Sequence, residues 1–405
     1  MRETNSVRYG QEFQEIGHCG GRFAVIVQTT EDGRRTRQFR VSHSRPVPAS
    51  IFAVYVLPQG IPVGTIQLGG IGTPWNPPPT SGCLPVFIAS DSHGMFGHEC
   101  PRCEGYWRSW QAPAQWRITC PYCGLRADTY EFLTEEQYKY VKAWCELIDQ
   151  AVRSENDGEY VLNMDEVADA VGKVGVKPKF YYAEESQQNK YTCSACGEFN
   201  DILGKYGYCS SCGTHNGLHE LEVDINRIRK RIGTSQEYEA CTKEAVATFD
   251  SFARHIAKQL ASRIPMTPVR RNEWENKLFH NLKPCAETLR ASFDINIFKA
   301  IKQEDTDFAI LMFHRRHVYE HNGGEVDEKY IHNSGDTSVR IKQVIRETRE
   351  SATRITNLVL QMGKNIHQGF HSIFPPEEMP VRMHEEDMKR IQGYRAAAKG
   401  ESQGT

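Results

Sequence analysis

Four Cys-x-x-Cys couples, in two pairs, constrain the folding of this chain more than any other feature. Cys100-Pro-Arg-Cys103 is followed after sixteen residues by Cys120-Pro-Tyr-Cys123-Gly124. Cys193-Ser-Ala-Cys196-Gly197 is followed after twelve by Cys209-Ser-Ser-Cys212-Gly213. Each couple sets two thiolates on a tight knuckle, and two knuckles complete a tetrahedral site. The glycine after a couple suits the left-handed turn that a knuckle needs. The spacing predicts two four-cysteine zinc ribbons, over residues 96–130 and 186–220, each holding one structural Zn2+. Thirteen cysteines follow an opening Met-Arg-Glu-Thr-Asn-Ser that has no signal-peptide pattern. The expectation is a cytoplasmic, reducing setting in which thiols bind metal rather than pair. Cys19, Cys83, Cys145, Cys241 and Cys285 are left over and read as buried or idle thiols.

Around the ribbons the periodicity changes from two to 3.6. Residues 1–95 read as a β-rich region. Arg22–Thr29 and Arg35–Val41 flank Glu31-Asp32-Gly33, a hairpin turn signal, and Ile51–Leu57 and Val63–Leu68 follow as strands. Gly69-Gly70-Ile71-Gly72 precedes prolines rather than a helix, so it reads as a loop and not a nucleotide fingerprint. Between the ribbons, residues 131–185 read as a helical connector. Tyr138, Val141, Trp144 or Cys145, and Ile148 keep a helical period, Asn163 opens a short capped helix to Val171, and Pro178 and the polar run Glu184–Asn189 suggest a linker. Trp107, Trp110 and Trp116 fall inside the first ribbon, where packing under the knuckles is favoured over stacking on bases. His93 and His98 are spare ligands at best.

Residues 221–372 read as a helical bundle of four stripes. The first is Tyr238, Cys241, Ala245, Phe249, Phe252, Ile256 and Leu260. The second runs from Trp274 through Leu282 and Leu289 to Ile297, with a kink expected at Pro284. The third carries the motif below. The fourth runs Val344, Thr348, Ala352, Ile355, Val359 and Met362. A polar tail occupies 373–405. The fold class is therefore multidomain α+β: a β-rich N-terminal region, two four-cysteine ribbons and a C-terminal all-α bundle.

The third helix ends in His314-Arg315-Arg316-His317-Val318-Tyr319-Glu320-His321-Asn322-Gly323-Gly324. Phe308, Leu311 and Met312 give it a helical spacing, and Asn-Gly-Gly stops it. Arginine presents a planar fork of donors that matches a phosphate, and histidine exchanges a proton near neutral pH. Together they can cleave a phosphodiester without metal. Two plainer readings stand beside this one: an exposed polar helix end, and a metal site on His314, His317 and His321. Two adjacent arginines would repel a cation, which disfavours the second.

Arg316-His317-x-x-x-His321 resembles the R-polar-x(3–5)-H motif of HEPN-domain ribonucleases, and residues 322–330 resemble the loop that follows it in bacterial members. The resemblance covers roughly 234–370. It implies a HEPN-like bundle in which Arg316 holds the scissile phosphate and His321 works on the 2′-hydroxyl or the leaving oxygen. His317 would orient the pair and Asn322 support the loop. It further implies an RNA substrate, metal-independent cleavage, a homodimer or higher even oligomer, and regulation as a toxin or defence effector by a protein or ligand acting on the N-terminal region.

Lys plus Arg is 49 against 51 for Asp plus Glu, so any RNA contact must be a local patch. The longest apolar run, Ile51–Leu57, is far short of a membrane span, so no membrane partner is expected. The rival reading is an inactive HEPN-like scaffold whose ribbons act as an adaptor for nucleic acid or protein. A third is a metalloenzyme built on His314, His317 and His321.

Overall fold

The computed structural model describes residues 14–44, 50–66, 75–110, 116–171 and 188–401. The chain forms two compact units. One comprises Met1–Gly204, Tyr208–Gly213 and Glu377–Thr405; the other comprises Lys205–Gly207 and Thr214–Pro376.

The first unit is β-rich. Strands β1 (Arg22–Thr29) and β2 (Arg35–Ser42) form the expected hairpin. Strand β3 (Ile51–Val56) lies between β4 (Pro62–Ile66) and β5 (Leu84–Ala89). Both β3 and β5 are buried along nearly their whole length, which is why they read as apolar runs without alternation. Helix α1 (Glu135–Arg153) covers them. It starts at a capping box between Thr134 and Gln137, and it buries Tyr140, Val141, Trp144 and Ile148. Its Trp144 Nε1 and Tyr140 hydroxyl each donate at 3.1 Å to β5 carbonyls, those of Pro85 and Phe87. These bonds satisfy main-chain acceptors at the strand's open edge.

The segment expected to be a helical connector is more mixed than its periodicity suggests. Between α1 and α2 (Met164–Val171) it sends strand β10 (Gly158–Asn163) back to pair with β1. A strand whose partner lies so far back in the chain leaves little trace in local sequence. The glycine run 69–72, Pro178 and residues 184–187 lie outside the described residues, and Gln188 and Asn189 open strand β11 (Gln188–Thr192).

The two ribbons, read from spacing as separate modules, share one sheet. Strands β6 (Phe96–Glu99) and β7 (Tyr106–Ser109) come from the first, and β11 and β12 (Phe199–Leu203) from the second. The order is β11-β12-β7-β6, joined where Asn200 pairs with Ser109 and Asp201 with Arg108. A small hairpin, β8 (Ile118–Thr119) with β9 (Arg126–Ala127), completes the first ribbon. The stretch read as a polar tail carries a helix, α10 (Glu378–Glu401), whose Val381 packs against the second knuckle pair.

The second unit is helical: α3 (Gly217–Thr234), α4 (Tyr238–Arg263), α5 (Pro268–Glu275), α6 (Leu282–Phe293), α7 (Gln303–His321), α8 (Glu328–Ser334) and α9 (Arg349–Ile373). Its centre is α4, whose Cys241, Ala245, Phe249, Phe252, Ile256 and Leu260 are all buried against α3, α7 and α9. Two expectations are corrected here, and one helix is added. The stripe from Trp274 to Ile297 is two helices, not one kinked helix. Pro284 sits in the first turn of α6, where its missing N–H has no intrahelical partner to lose. Val344, placed on the fourth stripe, lies before α9, which starts after the capping box of Thr348 and Ser351. Helix α3 was not expected, although Leu221, Ile225, Ile228 and Ile232 are buried at helical spacing.

Candidate functional site

The eight cysteines form two clusters of four. Cys100, Cys103, Cys120 and Cys123 make one, and Cys193, Cys196, Cys209 and Cys212 the other, with the sulfurs of each within 4.8 Å of one another. The closest contacts across the knuckles are 3.6 and 3.7 Å in the first cluster, and 3.7 and 3.5 Å in the second. A tetrahedron of sulfurs about 2.3 Å from a central ion has edges of about 3.8 Å, whereas a disulfide needs about 2.05 Å. Each cluster can therefore hold one metal ion.

All four knuckles are built alike. The N–H after the second cysteine donates to the carbonyl of the first, from Glu104, Gly124, Gly197 and Gly213. Each of these residues has positive φ: 56°, 69°, 72° and 77°. Three are glycine; Glu104 takes the strained conformation with a side chain. Trp107 is fully buried beside Phe132, as packing required, whereas Trp110 is half exposed against Phe199. His98 is buried and bonded to Ser109, and burial takes its pKa down to about 3. Neither His93 nor His98 joins a cluster. Of the remaining cysteines, Cys19, Cys145, Cys241 and Cys285 are buried. Burial pushes Cys145 up to about 12 and Cys285 up to about 11, so both are inert thiols.

The motif ends α7 as expected. Asn322 closes the helix, its N–H donating to Val318, and Gly323 then turns left-handed at φ 59°. The Asn322 amide donates at 2.9 Å to Asp327, which caps α8. The turn after the motif is thus tied to the start of the next helix.

A cavity of about 800 Å³ opens between the start of α6, one side of α7, and α8. His280, Lys283, Arg316, His317 and Lys329 line it, together with His314 and Tyr330. Two carboxylates, Asp307 and Asp327, also line it, against Lys283, Arg316 and Lys329; Gln303 donates to the first, and Asn322 and the Tyr330 N–H to the second. The lining therefore favours an anion.

The two arginines divide. Arg315 is held in ion pairs with Asp336 at 3.1 Å and Glu347 at 3.2 Å, both carboxylates being buried. Arg316 makes no ion pair among the described residues, and its Nε, like that of Arg315, is buried without a hydrogen-bond partner. A lone guanidinium on a basic cavity is poised to bind an anionic oxygen.

His317 lines the cavity, and its ring lies 4.5 Å from that of His321. Burial, then the neighbouring His321, Lys329, Arg316 and His280, hold the His317 pKa below its ordinary value. A neutral imidazole at pH 7 can accept a proton. His321 is exposed and lies outside the lining. His314 is also lowered by burial. His314, His317 and His321 do not converge: among the described residues only the two cysteine clusters bring three or more ligand atoms within reach of one ion.

Sequence reading missed the second wall: His280 just before α6, Lys283 of α6 and Lys329 of α8, which follow no local pattern. It also missed a histidine group on α9, α4 and the turn before α3. There His367 donates to the His215 carbonyl, while His371 bonds the His215 N–H and the Phe374 carbonyl. His215 is fully buried beside His255. Burial holds the His215 pKa well below its ordinary value and takes His255 to about 4. His215 and His255 thus serve as neutral core rings.

Compared with known proteins, the chain matches no family model, no curated protein and no solved structure. No helix among the described residues is long and apolar enough to cross a membrane.

Proposed function

We propose that this protein is a metal-independent endoribonuclease similar to HEPN-domain enzymes, with two structural zinc ions. The single observation that carries the reading is Arg316: an arginine without an ion-pair partner among the described residues, its Nε buried and unpaired, on a cavity rimmed by His280, Lys283, His317 and Lys329. In this reading Arg316 binds the scissile phosphate, and the His317–His321 pair handles protons. One imidazole takes the proton of the 2′-hydroxyl. The 2′-oxygen forms its bond to phosphorus while the bond to the 5′-oxygen breaks. The other imidazole gives its proton to the departing 5′-oxygen, leaving a 2′,3′-cyclic phosphate and a 5′-hydroxyl.

The exposed position of His321, at the helix end beside the cavity, suits a dimer in which two motif helices face each other and two copies of the motif act on one backbone. On this reading the enzyme would need restraint, as a toxin or defence effector gated through the N-terminal region would have it. The second reading, an inactive scaffold with adaptor ribbons, is favoured by one observation: His321 lies outside the cavity of a single chain. Incubating purified protein with total RNA, with and without a metal chelator, beside Arg316→Ala, separates the two. Cleavage that survives chelation and is lost in Arg316→Ala supports the nuclease; no cleavage by the unaltered protein supports the scaffold.

A further inference from the structure

We propose that Arg315 is the positioning residue of this cavity: by clamping Asp336 and Glu347 it fixes α8, the wall opposite Arg316 and His317, against α7. The inference rests on reading that cavity as the ribonuclease site. Adjacent helical residues differ by about 100° in direction, so Arg316 can face the cavity while Arg315 faces the strap that follows α8.

The Arg315 guanidinium holds both ends of the segment that joins α8 to α9. Its Nη2 donates to Asp336 at 3.1 Å and to Ser338 at 3.3 Å, and its Nη1 donates to Glu347 at 3.2 Å. The same carboxylates reach further. The Tyr330 hydroxyl of α8, which lines the cavity, donates to Asp336 at 2.6 Å. The Tyr319 hydroxyl of α7 donates to Glu347 at 2.6 Å, and the Glu347 N–H donates to Glu239 of α4 at 3.2 Å. The Asp336 side chain is 3% exposed and that of Glu347 1%, so neither has a solvent alternative to this cation. The guanidinium fork spans both partners at once, which a lysine ammonium cannot do with the same geometry. Arg315 touches no cavity space; its influence on Lys329 and Tyr330 passes through Asp336.

The test uses the full chain with two variants. Arg315→Lys keeps the charge but loses the fork. The triple change Arg315→Met, Asp336→Asn, Glu347→Gln removes the whole charge set, so no buried carboxylate is left unpaired and folding is spared. Amide hydrogen exchange over residues 328–345 reads the clamp without any activity, and kcat and KM on RNA read its consequence. The expected result is zinc content and thermal midpoint near the unaltered protein in the triple variant, with exchange faster by roughly tenfold or more in both variants. Their kcat should fall roughly 10–100-fold, the scale set by an ångström of misplacement. KM should move less than about threefold. Unchanged exchange and unchanged kcat in a folded triple variant would overturn the proposal. If the unaltered protein does not cut RNA, the ribonuclease reading fails and the exchange arm alone decides: lost protection upholds the clamp, and retained protection refutes it.

Discussion

Replacing Cys193 by serine removes one thiolate from the second cluster, and its effect should reach the first. A structural zinc held by four thiolates contributes apparent binding energy of about 10–16 kcal/mol at neutral pH, as much as the whole net stability of an ordinary domain. Serine is a poor replacement, so the second site loses its ion and its fold. The two sites are tied by the β7–β12 pairing and by hydrogen bonds outside it. Thr119 N–H donates to Ser210 at 2.8 Å, Tyr208 N–H to Pro121 at 2.8 Å, Leu203 N–H to the Tyr122 hydroxyl at 3.2 Å, and Arg126 to the Cys212 carbonyl at 3.2 Å. At about 1 kcal/mol net each, these four bonds couple the sites by about 4 kcal/mol. That is roughly a thousandfold in zinc affinity at the intact first site. The assay is elemental analysis followed by competition with a chromogenic chelator. Unaltered protein should carry two zinc ions, and the variant's remaining zinc should be released at about a thousandfold lower chelator activity. A variant whose first site competes like the unaltered protein would refute the coupling.

Four further outcomes follow from the same geometry. Glu104→Gly should stabilise the first ribbon by about 1 kcal/mol, because it relieves a side chain held at positive φ; a chelator-resistance or melting midpoint that does not rise would contradict this. Glu15 is buried, and desolvation, then the nearby Asp91, raise its pKa to about 8. Its folded state therefore holds a proton that the unfolded state releases. Stability should fall between about pH 4.5 and 8 by up to about 1.4 kcal/mol per pH unit. Glu15→Gln, which keeps an acceptor for the Tyr106 hydroxyl, should flatten that slope in melts from about pH 5 to 8.5. Arg315→Ala alone, unlike the charge-free triple variant, strands two buried carboxylates and should cost roughly 3–5 kcal/mol in denaturant unfolding. His321→Ala should lower RNA cleavage by about 10²–10⁴ while leaving zinc content and melting unchanged.

Local signals in the sequence were read well, and long-range ones were not. The β1–β2 hairpin followed from Glu31-Asp32-Gly33, and α4 from a stripe that repeats over its whole length. The cysteine clusters followed from couples whose geometry is set within four residues. By contrast, β7 and β12 pair across a long stretch of chain, and β10 returns to β1 across a longer one. Neither leaves a mark in composition. The motif was legible, but the roles within it were not. Arg315 and Arg316 are identical in sequence terms, and only Asp336 and Glu347, distant in the chain, decide which one is spent on structure. The basic wall of the cavity, supplied by α6 and α8, was invisible for the same reason.

Central to the proposed function is one chemical claim: that Arg316 and the His317–His321 pair cut RNA through the substrate's own 2′-hydroxyl. The direct measurement is end-group analysis of a cleaved RNA strand in excess chelator, beside a strand of the same sequence with 2′-deoxyribose throughout. The account predicts a 2′,3′-cyclic phosphate and a 5′-hydroxyl from the RNA, an intact deoxy strand, and no products from Arg316→Ala. Cleavage of the deoxy strand, 5′-phosphate products, or full activity in Arg316→Ala would contradict it.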